Sequence, residues 1–228
     1  MHRPCLLHLQ HLLIPVLLLL LSASSTGTSA GDSEFTFNGF FGNDLTMDGE
    51  AAVSEGLLRL TSGQNHSKGH VFYTYPLNFT SADVPTSSSA PSFSTTFVFA
   101  IIPQYHDLSS HGLAFVLSST KELFSALPGQ FLGLLNGWNK GNSSNHLLAI
   151  ELDTILNMDF NDIDDNHIGI DVNSLNSVAS ASAGYYTSDG EFHNLTLFST
   201  KPMQVWVEYD SFAIHNSLFW VFLIHWHT

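Results

Sequence analysis

The residues best able to do chemistry stand close together, in the stretch IELDTILNMDFNDIDDNHIGIDVNS at positions 150–174. Glu151 and Asp153 are two apart in apolar surroundings, so on a strand their side chains leave by one face and can meet at a single ion. Asn157, Asn161 and Asp162 follow with hard oxygen donors of the kind Ca2+ takes. His167 adds an imidazole, which Ca2+ rarely uses and Mn2+ or Zn2+ accepts. Two readings are open from chemistry alone: a site for Ca2+ and a transition metal, or an acidic surface loop whose Asp and Asn side chains only make turns.

The elements that must position these groups read as strands. Phe93, Thr95, Phe97, Phe99 and Ile101 alternate with Ser94, Thr96, Val98 and Ala100, which puts a row of large side chains on one face. Val205, Val207 and Tyr209 repeat the pattern. The apolar runs 112–117 and 147–152 predict strands buried on both sides, and 81–91 is a Ser/Pro-rich loop. Only 119–127 suggests a helical turn. Strands without convincing helices predict an all-β fold of two packed antiparallel sheets, and no internal repeat is visible.

Residues 1–30 have a basic Arg3, an apolar core at 12–21 and small residues up to Ala30. That pattern predicts a secretory signal peptide, with an apolar core too short to span a bilayer comfortably. The single cysteine, Cys5, lies inside it, so the mature domain is expected to have no disulfide. Acidic residues outnumber Lys and Arg by 20 to 6, a balance that repels phosphate and excludes nucleic acid as a partner. Sequons at Asn65, Asn78, Asn142 and Asn194 suit an N-glycosylated chain secreted to the extracellular space.

ELDT followed by NHIGIDVNS resembles the metal-binding hairpin of legume lectins. FTFNGF at 35–40, GLLRLT at 56–61, SFSTTFVFAI at 92–101, HGLAFVL at 111–117, FLGLLN at 131–136 and PMQVWVEYD at 202–210 agree in order. AGYYTSDGEFHNLTLFS resembles the lectin receptor kinase branch. The resemblance covers about residues 34–210 and implies a concanavalin A-like jelly-roll β-sandwich over 31–210. It also implies a carbohydrate-binding extracellular module like the ectodomain of a plant lectin receptor kinase, whose full-length relatives sit at the plasma membrane.

Carried onto this sequence, the resemblance implies Glu151 and His167 as ligands of Mn2+ and Asp153 as the bridge to Ca2+. Asn157 and the carbonyl of Ile155 complete the Ca2+ shell. The second bridging carboxylate of the family is read at Asn161, so either Asp162 swings in or the Ca2+ site is one charge short. His111 stands where the family's sugar-binding Asp is expected, and Gln130 at a loop glycine, with Asn157 the third sugar residue. A carboxylate accepts two hydroxyl protons, whereas a neutral imidazole offers one acceptor and one donor. Ordinary monosaccharide binding is therefore expected to be weakened, and two ligand classes stay open: a glycan or cell-wall-derived ligand, and a peptide, hydrophobic or protein ligand.

Sandwich glycosidases need a third carboxylate two or three residues beyond Asp153, where this chain has Ile155 and Leu156, so no enzymatic activity is expected. The resemblance stops after Asp210. Residues 211–228, SFAIHNSLFWVFLIHWHT, read as a divergent hydrophobic tail whose lack of alternation suits no surface strand, and the sandwich is expected to be incomplete there.

Overall fold

A computed structural model describes residues 3–4, 34–42, 44–77, 92–103, 111–210 and 218–225. In chain order the strands are β1 Arg3–Pro4, β2 Leu45–Gly49, β3 Ala52–Ser54, β4 Leu57–Arg59, β5 Gly69–Tyr73, β6 Phe93–Phe99 and β7 Gly112–Ser118. They continue as β8 Leu147–Asp153, β9 His167–Val172, β10 Ala179–Ser182, β11 Gly184–Tyr186, β12 Phe192–Asn194, β13 Met203–Asp210 and β14 Leu218–His225. Short 3-10 turns occupy Gly129–Phe131, Ser143–Asn145 and Met158–Phe160. Among the described residues there is no α-helix.

Two antiparallel sheets form the sandwich, one ordered β10-β9-β8-β7 and the other β14-β13-β6. Period-two patterning explains why they stack. Phe99 from β6 and Met203, Val205 and Val207 from β13 meet Ile150 and Leu152 from β8 and Ile168 and Ile170 from β9 in one core. Each such buried side chain contributes about 1.5–3 kcal/mol relative to exposure. The alternate positions of β6, Ser94, Thr96 and Val98, face outward, as the sequence pattern predicts.

β8 is covered on both sides. Ile150 and Leu152 point into the sandwich, while Leu147 and Ala149 pack on the other face against Leu134, Leu135, Phe160 and Leu175. That second layer is built by the segment after β7. The turn expected at 119–127 is a single one, with Ala126 N–H donating to the Leu123 carbonyl at 3.0 Å. β7 is half-buried along its whole length. The loop at 81–91, Asn78, and the apolar core at 12–21 lie outside the described residues.

One expectation is corrected. Leu218–His225, read as unsuited to a surface strand, is β14 and pairs residue for residue with β13 from Asp210↔Leu218 to Met203↔His225. Its Phe, Trp, Val and Ile content favours extended backbone, and β13 offers it a free edge. Local alternation is only one of the forces that place a strand. Backbone pairing decided this one.

Candidate functional site

The chemistry sits at one end of the four-stranded sheet, where pairing between β8 and β9 sets Asp153 opposite His167 and Glu151 opposite Gly169. Glu151, Asp153 and His167 are all buried, and each offers a ligand atom within 4.8 Å of the others. His167 Nδ1 donates to the Asp164 carbonyl at 2.9 Å, which leaves Nε2 facing the acids, 3.3 Å from Glu151 Oε1. Metal-binding histidines are commonly oriented in this way. Gly169 makes the cluster possible: a Cβ there would lie 2.2 Å from Glu151 Oε1 and 2.1 Å from Ser177 Oγ.

The oxygen donors that follow fold back against the same point. Ile155 N–H donates to Asp153 Oδ1 at 2.7 Å, Asn157 Nδ2 to the Ile155 carbonyl at 2.8 Å, and Asn157 N–H to Asp162 Oδ2 at 2.6 Å. The other oxygen of Asp162, Oδ1, is 4.0 Å from His167 Nε2. Asn161 does not take part. It caps the turn Met158–Phe160 in the left-handed region, φ 59°, and is exposed. Of the two alternatives the sequence left open at this position, the geometry favours Asp162, which faces the cluster because of the turn at 158–161.

Burial makes this a poor place for bare carboxylates. The Asp153 carboxyl is pushed up to about 7, first by desolvation and then by the charge of Glu151. Burial alone would lower His167, but its hydrogen bond to Glu151 and the charges of Glu151 and Asp153 raise it to about 9. One imidazolium cannot balance Glu151, Asp153 and Asp162 together. A pair of divalent cations can, and the donor set of carboxylates, a carbonyl, an amide and one imidazole is what Ca2+ with Mn2+ accepts.

Two contributing residues escaped the sequence reading. Asp171, fully buried, follows His167 and Gly169 at period two on the same face of β9. Ser177 Oγ lies 2.6 Å from Glu151 Oε1 and 2.8 Å from Asp171 Oδ1, and its single proton joins the two carboxyl groups in one hydrogen-bonded set. Burial, then the charge of Glu151, pushes Asp171 up to about 9, and its Oδ2 has no partner among the described residues. Counting by twos from His167 would have found Asp171. Ser177 comes from a separate turn and carries no such signal.

His111 sits next to this cluster because it precedes Gly112, which pairs with Asp153. Gly112 is at φ 108°, and a Cβ there would meet the Leu152 carbonyl at 2.1 Å. The His111 imidazole is held below its ordinary range by burial, with Asp162 pulling the other way, and its Nδ1 is buried without a hydrogen-bond partner among the described residues. Gly129, beside Gln130, approaches it: a Cβ on Gly129 would be 3.5 Å from His111 Nε2. His111, the Gln130 turn and Asn157 thus border the cluster. Ser110, and with it the Ser110–His111 peptide, lies outside the described residues. The sequons at Asn65, Asn142 and Asn194 are exposed.

A jelly-roll sandwich with a buried carboxylate and imidazole cluster at one sheet end defines the class of L-type lectin folds. A family model described as the legume lectin domain matches residues 32–223, and the chain belongs to that family. The match runs through most of β14. L-type lectin-domain containing receptor kinase SIT2 of Oryza sativa subsp. japonica is 55% identical over 80% of this chain and 27% of that protein. L-type lectin-domain containing receptor kinase IV.1 of Arabidopsis thaliana is 49% identical over 80% and 27%. The chain thus spans between a quarter and a third of the length of these curated relatives.

Among solved structures, the lectin UEA-II complexed with galactose superposes with a TM-score of 0.63 at 23% identity, covering 86% of this chain and 84% of that one. Peanut lectin with a 9mer peptide gives 0.62 at 24% identity, covering 84% and 81%. At this level of identity the likeness shows the fold.

Proposed function

We propose that this chain is a carbohydrate-recognition domain of the extracellular, lectin receptor kinase type, with Ca2+ and Mn2+ organising its site. The observation that carries the reading is the buried Glu151, Asp153 and His167 cluster beside a His111 nitrogen that lacks a partner. Glu151, Asp153, Asp162 and His167 would hold the ions, with Asn157 and the Ile155 carbonyl on the Ca2+ side. His111, Gln130 and Asn157 would meet the sugar. Secretion through a signal peptide at 1–30 and N-glycosylation at the four sequons accompany this reading, and the exposure of Asn65, Asn142 and Asn194 supports it. Among the described residues no helix is long and apolar enough to cross a membrane. The expectation that Glu151 and Asp153 do not act on a glycosidic bond is supported by their burial, at 2% and 3% exposed.

Glycan-array binding by the complete secreted chain, with and without chelator, tests the proposal. Chelator-sensitive binding to a defined glycan set is expected, and an array with no signal at any Ca2+ concentration would overturn it. A peptide or protein ligand is the second reading, favoured by a neutral imidazole at His111 where two acceptors would hold two sugar hydroxyls. His111→Asp separates them: under the sugar reading it strengthens galactose binding in the presence of Ca2+. An unchanged titration by a folded variant would count against this account of the pocket.

A further inference from the structure

The turn that carries Gln130 is held from outside the site by two basic side chains. Lys68 Nζ donates to the carbonyls of Ala126 at 2.7 Å, Phe124 at 3.2 Å and Leu123 at 3.4 Å. Two residues on, His70 opens β5 toward the same segment, its Nε2 2.7 Å from the Gly133 carbonyl and its Nδ1 3.2 Å from Asp48 Oδ2 on β2. A carbonyl only accepts, so Nε2 donates to Gly133, and the Asp48 carboxylate orients the ring through Nδ1. His70 is only 6% exposed.

The segment is built to be held this way. Leu127 N–H donates to the Leu135 carbonyl at 2.8 Å and Gly133 N–H to the Leu127 carbonyl at 3.0 Å, closing a small loop around Gln130. At Gly133, φ 73°, a Cβ would lie 2.9 Å from His70 Nε2, so glycine lets the ring reach the backbone. The far side of the loop rests on the metal-site loop, with Phe131 edge-on to Phe160 at 5.6 Å. Residues 123–133 carry no charged side chain, and the carboxylate that meets His70 is Asp48 from β2, with Lys68 before β5 close enough to act on it. Lys121 Nζ turns away to the Thr74 carbonyl at 3.0 Å.

We propose that Lys68 and the His70–Asp48 pair are positioning residues for the ligand loop: the hydrogen bonds of Lys68 and His70 to the backbone of 123–133 hold the Gly129–Gln130 turn beside His111 and thereby set ligand affinity. This rests on the carbohydrate reading for its consequence, though not for its geometry.

Hydrogen exchange of the complete chain, corrected for intrinsic rates, tests the clamp without any ligand. Lys68→Met or His70→Leu is expected to raise exchange in 123–135 by about tenfold or more, the scale of one lost charge-assisted bond, with β8 and β9 exchange and Mn2+ stoichiometry unchanged. Lys68→Arg should restore protection. Loop exchange within twofold of the parent, or an equal rise in β8 and β9, overturns the proposal. Galactose affinity should fall with loop protection. If galactose fails to bind the parent chain while the exchange pattern holds, the ligand reading fails and the clamp stands.

Discussion

At the scale of single residues, the site depends on a place where a side chain is absent. Gly169 leaves room for Glu151 and Ser177, whose oxygens would lie 2.2 and 2.1 Å from an added Cβ. Gly169→Ala should therefore displace Glu151, reduce bound metal and destabilise the domain by about 1–3 kcal/mol. Metal analysis together with urea unfolding checks this, and full metal content with unchanged stability would refute it. The buried ionisable groups make a second prediction with a definite sign. Asp153 and Asp171 are raised from 3.8 to about 7 and about 9, and His167 from 6.5 to about 9. Without metal the folded domain thus holds more protons than the unfolded chain between about pH 4 and about pH 9. The stability these groups contribute is fully present below their unfolded values and lost as pH rises through the folded ones. Divalent ions compete with the same protons, so metal affinity should rise across that window and the loaded domain should lose less stability. Denaturation midpoints measured at several pH values, with and without Ca2+ and Mn2+, test both halves.

At the scale of elements, β14 changes what the residues after 210 are expected to do. A hydrophobic tail with no strand would be a solubility liability, and removing it would help. Paired along all of β13 from Met203 to Asp210, it instead closes an edge whose inward side chains Met203, Val205 and Val207 are fully buried. Deleting residues 211–228 should lower the unfolding temperature and increase self-association, because β13 then presents unpaired backbone groups. Light scattering and thermal unfolding of the shortened chain decide it. A more soluble and equally stable product would show that β14 contributes nothing.

At the scale of the whole molecule, the proposed ions and the sandwich would behave as one system. β8 and β9 supply both the core residues Ile150, Leu152, Ile168 and Ile170 and the metal cluster on their other face. Ions that bind only the folded form stabilise it by mass action, about 4 kcal/mol at a thousandfold excess over Kd. Chelator should accordingly lower the unfolding temperature of the entire domain as one cooperative transition. A calorimetric trace that is identical with and without chelator would sink the metal reading. A trace in which only a loop signal moves would separate the ions from the core.

By itself the sequence determined the all-β character, the buried faces of β6 and β13, and the crowding of donors between Glu151 and His167, because these depend on spacing along one or two strands. It also carried the family resemblance through the order of its motifs. Only the tertiary structure decided which acid completes the cluster, because the 3-10 turn at Met158–Phe160 rotates Asn161 outward and Asp162 inward. Ser177 and the clamp of Lys68 and His70 on the Gln130 loop were equally invisible. Lys68 Nζ and Ala126 O are 58 residues apart in the chain. The place of β14 was hidden for a related reason: a strand added to an open edge is specified by its partner's backbone, which no pattern within residues 218–225 can show.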